Sequence, residues 1–221
     1  MGETVSFPSN GNTASGYLAR AKGGTGKGVI VIQEWWGLND NIKGIADRFA
    51  AAGFNALAPD LYHGQLTTEP DEAGKLLMAL DIPRAEKDLR GAVSFLKGET
   101  GSKVGTVGFC MGGALSLFAA CSNGDDVGAC VDFYGGHPAV QYDFASLKAP
   151  VLGLWAEHDD FVNPSLPAIE EGIRSAGVEY ESRTYPGTAH AFFNDTNADG
   201  FNKEAADDAW ERTTAFFNKH L

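Results

Sequence analysis

The residues Gly108-Phe109-Cys110-Met111-Gly112 indicate the fold class, because they have the form of a nucleophile elbow with cysteine in the serine position. An apolar run, residues 104–109, precedes it, and a segment rich in Ala and Leu, residues 111–121, follows it. This order predicts a strand, a sharp turn and a helix, with glycines where a side chain would collide with the neighbouring backbone. A cysteine at that turn lies at the N-terminus of the helix, whose dipole favours the thiolate.

The composition indicates an ordinary globular protein with an acidic surface. The 221 residues suit one domain over residues 1–221, and the 43% hydrophobic and 21% charged residues are typical of soluble proteins. The net charge of -12 argues against nucleic acid and membrane surfaces as partners and disfavours polyanionic substrates. Because no targeting segment is recognisable and three cysteines lack metal-type spacing, we expect a cytoplasmic monomer without metal or cofactor.

Strands alternate with helices along the chain, which predicts a mostly parallel central sheet with helices on both faces. A hairpin is expected first, from residues 3–7 and 14–19 with a turn of Ser9, Asn10, Gly11 and Asn12. The other predicted strands are residues 28–33, 54–58, 104–109, 127–133, 151–156 and 180–185, and the predicted helices are residues 39–52, 69–79, 83–97, 111–121, 164–176 and 204–220. Functional residues should lie just beyond the C-terminal ends of the parallel strands.

An acid and a histidine follow the cysteine in the order that α/β-hydrolases use. The strand at 151–156 leads into Asp159 and Asp160, and the strand at 180–185 leads into a short loop with His190. His190 would take the proton of the Cys110 thiol, or hold the thiolate as an ion pair, and later activate water. A carboxylate would fix the imidazole tautomer. The sequence therefore predicts a triad in which either of the two aspartates is the acid.

The residues after the strand at 28–33 supply further candidates. A backbone amide there, with Trp35 as our candidate, would form an oxyanion hole together with the amide of Met111. Burial of the Glu34 carboxylate at a strand end costs free energy unless the group has a partner. We therefore expect Glu34 to contact the thiol or an arginine. Trp36 and its neighbour suit a pocket or a core equally well.

These residues resemble the dienelactone hydrolase family. The resemblance rests on Gln33-Glu34 with Gly37, on Pro59-Asp60-Leu61-Tyr62, on Gly108-Phe109-Cys110-Met111-Gly112-Gly113, on Asp159 with Val162, and on His190-Ala191-Phe192. It implies an α/β-hydrolase fold and a Cys110–Asp159–His190 triad that acts on an ester or lactone through an acyl thioester. It also implies that Glu34 contacts the thiol and takes part in its activation when substrate binds.

The sequence departs from the family at positions that bind the substrate. Members that open dienelactone hold its carboxylate with two arginines, one before the third helix of the chain and one four residues after the histidine. Here residues 65–81 contain Lys75 but no arginine, and position 194 is Asn. This difference argues against an anionic substrate. Candidate substrate contacts are Trp36, Tyr134, Lys75, Arg84 and Asn194, with others expected in residues 65–81.

Other classes of function fit less well. Glutaminase modules of amidotransferases also place cysteine on an elbow, but they usually carry Glu two residues after the histidine, where this chain has Phe192. A broken triad would favour a non-catalytic ligand-binding module on the same fold, whereas this triad is intact. A redox module would need a second, resolving cysteine near Cys110. Nothing in the sequence assigns that role to Cys121 or Cys130. We therefore expect a hydrolase of small esters or lactones.

Overall fold

One eight-stranded sheet runs through the protein. The computed structural model describes residues 2–9, 11–23 and 26–221. Its strands are β1 (Glu3–Ser9), β2 (Asn12–Ala19), β3 (Gly28–Ile32), β4 (Asn55–Pro59), β5 (Val104–Phe109), β6 (Val127–Phe133), β7 (Val151–His158) and β8 (Tyr180–Ala189). Their order across the sheet is β1-β2-β4-β3-β5-β6-β7-β8. The β1–β2 and β2–β4 pairs are antiparallel and the other pairs are parallel, which confirms the predicted mostly parallel sheet.

The helices connect these strands and cover both faces of the sheet. They are α1 (Asp40–Ala51), α2 (Pro70–Ala79), α3 (Ile82–Thr100), α4 (Met111–Ser122), α5 (Leu166–Ser175) and α6 (Lys203–His220). Asn39, Asp81 and Asn202 cap the starts of α1, α3 and α6, because each side chain accepts a hydrogen bond from a first-turn amide. None of the helices in the described ranges is long and apolar enough to cross a membrane.

The core lies on either side of the central strands. Every residue of β3 and β5 is buried, as expected for parallel strands covered on both faces. Between α1 and α6, the Phe49 ring lies 4.6 Å from Trp210 and 6.0 Å from Phe217, measured between centroids. On the other side α3 packs against α4. These layers hold the carboxyl ends of the parallel strands at one edge of the sheet.

Two strands run further than the sequence predicts. β7 continues to His158 and β8 to Ala189, where these two residues pair after an irregularity in register at Ala156. Gly187 takes a left-handed φ of 67° within the extension. As a consequence His190 follows the end of β8 directly instead of lying in a loop after residue 185. In the predicted first turn, Asn10 lies outside the described residues, and Ser9 pairs with Asn12.

Candidate active site

The elbow between β5 and α4 places Cys110 in a strained backbone conformation. Cys110 has φ 56° and ψ -121°, a left-handed region that L-residues rarely adopt. The turn closes because two neighbours lack side chains. A Cβ on Gly108 would lie 1.8 Å from the Gly112 carbonyl oxygen, and one on Gly112 would lie 2.3 Å from that of Ile32. The Cys110 amide donates to the Phe133 carbonyl oxygen at 3.1 Å, so β6 supports the turn.

The acid and the histidine meet at the ends of β7 and β8. His190 Nδ1 lies 2.6 Å from Asp159 Oδ2. The second oxygen, Oδ1, accepts hydrogen bonds from the amides of Phe161 (3.2 Å) and Val162 (3.0 Å), which fix the carboxylate. Asp159 is 3% exposed, whereas Asp160 is exposed. Of the two aspartates that the sequence leaves open, the structure brings Asp159 to the histidine.

The surroundings of His190 favour its charged form. Burial by itself lowers the pKa of this histidine, but hydrogen bonds with Asp159 and Cys110, and the charges on both groups, raise it to about 10. These partners favour the imidazolium form of His190, beside a cysteine that is 9% exposed. Chemically this is a nucleophile with a positioned acid–base partner.

Glu34 is the second carboxylate at the site. It is 3% exposed, and its Oε2 accepts a hydrogen bond from Asn194 Nδ2 at 2.7 Å. No described residue gives Oε1 a hydrogen bond. Burial raises the pKa of Glu34 to about 7, against the opposing effects of the Asn194 hydrogen bond and the His190 charge. Near neutral pH this group can therefore give up or take a proton with little bias.

The two expected oxyanion donors lie beside the cysteine. Met111 is the first residue of α4, so its amide has no acceptor within the helix. Neither its amide nor that of Trp35 donates a backbone hydrogen bond within the described ranges. Both amides thus lack a backbone acceptor, as an oxyanion donor requires.

A cavity of about 450 Å³ opens over these groups. Its lining comprises Glu34, Trp35, Trp36, Leu77, Cys110, Phe161, His190, Ala191, Asn194 and Asn197. Over the part of the chain that is described, no lysine or arginine lines it, and the one carboxylate is Glu34. An apolar cavity with a buried carboxyl group favours uncharged ligands.

Two predicted substrate contacts do not reach this cavity. Lys75 on α2 is exposed and pairs with Glu72, with Nζ 2.6 Å from Oε1. It lies two residues from Leu77, which does line the cavity, and residues two apart on a helix point in different directions. Arg84 lines a different cleft beside α3. The expected cationic contacts from these two side chains are therefore absent.

The remaining predicted contacts surround the triad. Trp36 and Asn194 line the cavity, although the Asn194 amide is engaged by Glu34. Tyr134 is fully buried, with its ring centroid 5.1 Å from that of His190, so it supports the histidine and does not line the cavity. Sequence reasoning missed Phe161 and Asn197. The position of Phe161, two residues after Asp159, was the available signal.

The other cysteines give no support to a redox site. Cys121 and Cys130 are buried, free thiols. Burial raises the pKa of Cys121 to about 12 and raises that of Cys130 as well. Since the thiolate is the reactive form, both behave as packing residues. The described residues also contain no cluster of His, Cys, Asp and Glu that could hold a metal ion.

Comparisons with known proteins agree with this geometry. The sequence model of the Dienelactone hydrolase family matches residues 14–221. Protein usf of Aquifex pyrophilus is 41% identical, and the "Putative carboxymethylenebutenolidase" of Aquifex aeolicus is 36% identical, each over 100% of both chains. The crystal structure of a "Putative Dienelactone Hydrolase" from Klebsiella pneumoniae superposes with a TM-score of 0.88 at 28% identity, over 100% of this chain and 99% of that one. The chain thus belongs to the dienelactone hydrolase family, and it is a hydrolase of carboxylic esters or lactones with the α/β-hydrolase fold.

Proposed function

We propose that this chain, as one domain over residues 1–221, hydrolyses small uncharged esters or lactones with Cys110 as the nucleophile. The observation that carries the proposal is the 2.6 Å contact between Asp159 and His190 beside the cysteine elbow. The charge of the substrate follows from the cavity, whose described lining has no lysine or arginine for a carboxylate, while the charge of His190 is already paired with Asp159. Glu34, when ionised, would also repel an anionic ligand.

In the first step the Cys110 sulfur attacks the carbonyl carbon of the ester. The carbonyl oxygen becomes negative and is stabilised by the amides of Trp35 and Met111. The tetrahedral intermediate then collapses to an acyl thioester, while the carbon–oxygen bond breaks. The His190 imidazolium gives its proton to the departing alkoxide, so an alcohol leaves and neutral imidazole remains.

In the second step a water molecule hydrolyses the thioester. His190 takes one proton from the water, and the oxygen attacks the thioester carbon. The carbon–sulfur bond breaks, so that a carboxylic acid departs and the thiolate–imidazolium pair is restored. Asp159 stabilises the imidazolium throughout and fixes the ring orientation.

Glu34 supplies a second route for the thiol proton. Where Cys110 carries a thiol and not the thiolate of the ion pair, ionised Glu34, whose pKa is about 7, takes the thiol proton and releases it to water after turnover. Its unpartnered Oε1 is the oxygen that can make this contact, because Oε2 is held by Asn194.

Hydrolysis assays with Cys110→Ala test the proposal, with Cys121→Ala as the matched control. We expect turnover of 4-nitrophenyl acetate to fall by at least about 10³-fold in Cys110→Ala and to be unchanged in Cys121→Ala. Full activity of Cys110→Ala would refute the cysteine mechanism. Efficient opening of cis-dienelactone by the wild type would refute the assignment of an uncharged substrate.

A further inference from the structure

A second cavity, of about 400 Å³, lies beside the first. Its walls include Val140, Tyr142 and Phe144, together with Ala168 and Ile169 of α5. Of the described residues that line it, none is Asp, Glu, Lys or Arg. This cavity is therefore uncharged and largely apolar, and the reaction steps above make no use of it.

The one histidine in this second cavity does not change its character. His137 Nδ1 accepts a hydrogen bond from the Ala139 amide at 3.1 Å, and Nε2 donates to the Leu77 carbonyl oxygen at 3.2 Å. Both ring nitrogens are thereby used in the neutral form. Burial also lowers the pKa of His137, which keeps the ring uncharged at neutral pH.

Phe161 is the wall that the two cavities share. Its ring meets the His190 ring edge to face, with 6.2 Å between centroids and an interplanar angle of 89°. It also lies directly on Gly136, where a Cβ would be 2.8 Å from the Phe161 ring. The Gly136 amide in turn donates to the Cys110 carbonyl oxygen at 3.3 Å. The second cavity thus begins at the nucleophile elbow.

The Phe161 backbone is held in place, whereas its ring is largely exposed. The Phe161 amide is held by Asp159 Oδ1, which also accepts from Val162. The residue as a whole is nevertheless 53% exposed, so solvent borders the ring on the side away from Gly136 and His190. Because this ring lines both cavities, a change in its position changes the boundary between them.

We propose that the second cavity is the binding subsite for the alcohol portion of the ester, with Phe161 as its movable partition. The preferred substrate is then an ester of an uncharged, apolar alcohol, and not only a lactone. This inference rests on the proposed function, because it depends on which oxygen of the ester leaves in the proposed reaction. The leaving oxygen must lie within reach of His190, whose ring contacts Phe161, so a group on that oxygen is directed toward Phe161 and the second cavity.

Two isomeric esters test the assignment. In 2-phenylethyl acetate the phenyl group belongs to the alcohol, whereas in ethyl phenylacetate it belongs to the acid. Ala168 is an exposed residue of α5 that lines the second cavity, so Ala168→Trp fills the subsite from the surface. We expect it to lower kcat/KM for 2-phenylethyl acetate about tenfold and to leave ethyl phenylacetate unchanged. Ala215→Trp, an exposed position on α6 outside both cavities, is the matched control.

Phe161→Ala provides the opposite perturbation. Removal of the partition should raise kcat/KM for 2-phenylethyl acetate relative to ethyl phenylacetate several-fold. An unchanged ratio in both Ala168→Trp and Phe161→Ala would overturn the assignment, and so would selective loss of ethyl phenylacetate hydrolysis. These outcomes leave the cysteine mechanism intact, since that mechanism fails only if Cys110→Ala retains turnover.

Discussion

Asn194 Nδ2 donates a hydrogen bond to Glu34 Oε2 at 2.7 Å, although 160 positions separate the two residues in the chain. The orientation of the amide is fixed on its other side. Asn194 Oδ1 accepts from the amide of Thr196 at 3.0 Å and from its hydroxyl at 2.6 Å. Because the oxygen is used by two donors, the NH₂ group must face the carboxylate. Asn194 therefore acts as a positioning residue for Glu34.

Removal of this anchor should shift the pH profile. The hydrogen bond from Asn194 lowers the pKa of Glu34, so Asn194→Ala raises that pKa above its value of about 7. If ionised Glu34 accepts the thiol proton, activity rises with pH through this pKa. We expect the acidic limb of kcat/KM to move up by about one pH unit and activity at pH 7 to fall up to about tenfold. Steady-state assays between pH 5 and pH 9 measure both effects.

Asn197→Ala is the control for this experiment. Asn197 lines the same cavity, but no side-chain hydrogen bond joins it to Glu34. Its substitution should leave the position of the acidic limb unchanged. A loss of activity in Asn194→Ala at every pH, without a shift of the limb, would mean that Asn194 supports the structure of the cavity only.

The charge on His190 depends on Cys110 as well as on Asp159. Burial opposes the imidazolium, and the raised pKa of about 10 requires both partners. In Cys110→Ala one hydrogen bond and one charge attraction are lost, so the His190 pKa should fall by more than about one unit. Titration of labelled histidines by ¹⁵N NMR measures this change, with His190→Gln to assign the signal.

The matched exchange Cys121→Ala should leave that titration unaltered. Cys121 is a buried thiol, and it is not one of the groups that raise the pKa of His190. An identical His190 titration in the wild type and Cys110→Ala would show that the cysteine does not interact with the imidazole. The ion pair assumed for the resting enzyme would then be wrong.

Local sequence patterns were sufficient to predict most of the fold. The elbow could be recognised because the turn requires glycines close to Cys110 in sequence, where a Cβ would collide with the backbone. The C-terminal edge of the sheet was predictable because parallel strands end on the same side. The extensions of β7 and β8 were not, since they depend on the pairing of His158 with Ala189, which are far apart in sequence.

The cavity lining was harder to predict than the triad. Lys75 and Leu77 lie in the segment where contacts were expected, but only the orientation of α2 decides which of them faces the cavity. The partner of Glu34 was equally hard to predict. Asn194 can donate a hydrogen bond to Glu34 only because the fold brings the end of β3 and the loop after β8 together. Such contacts are tertiary, and a single sequence does not display them.

The elbow should tolerate no side chain at position 112. In Gly112→Ala the new Cβ would lie 2.3 Å from the Ile32 carbonyl oxygen and 2.5 Å from that of Gln33, both backbone atoms of the central sheet edge. We expect a loss of about 3 kcal/mol in the free energy of unfolding. Gly98→Ala is the contrasting variant, because it lies in α3 with nothing within 4 Å of the new Cβ. It should gain about 0.5–1 kcal/mol, and urea unfolding compares the two. Equal stability of both variants would contradict the steric account of the elbow.

Asp132 on β6 should make the protein less stable as the pH rises. Burial raises the pKa of this carboxyl group to about 7 from 3.8, against the effect of the Gly135 amide. Between these values the folded chain keeps a proton that the unfolded chain has released, so the free energy of unfolding falls with increasing pH.

Asp132→Asn removes this titration, and it should be more stable than the wild type at pH 8 by about 2–4 kcal/mol but not at pH 4. Urea unfolding at the two pH values measures the difference, and Asp160→Asn, an exposed neighbour of the triad acid, should show none. Parallel stability curves for Asp132→Asn and the wild type would contradict the raised pKa, and would mean that Asp132 is ionised in the folded protein at low pH beside the Gly135 amide.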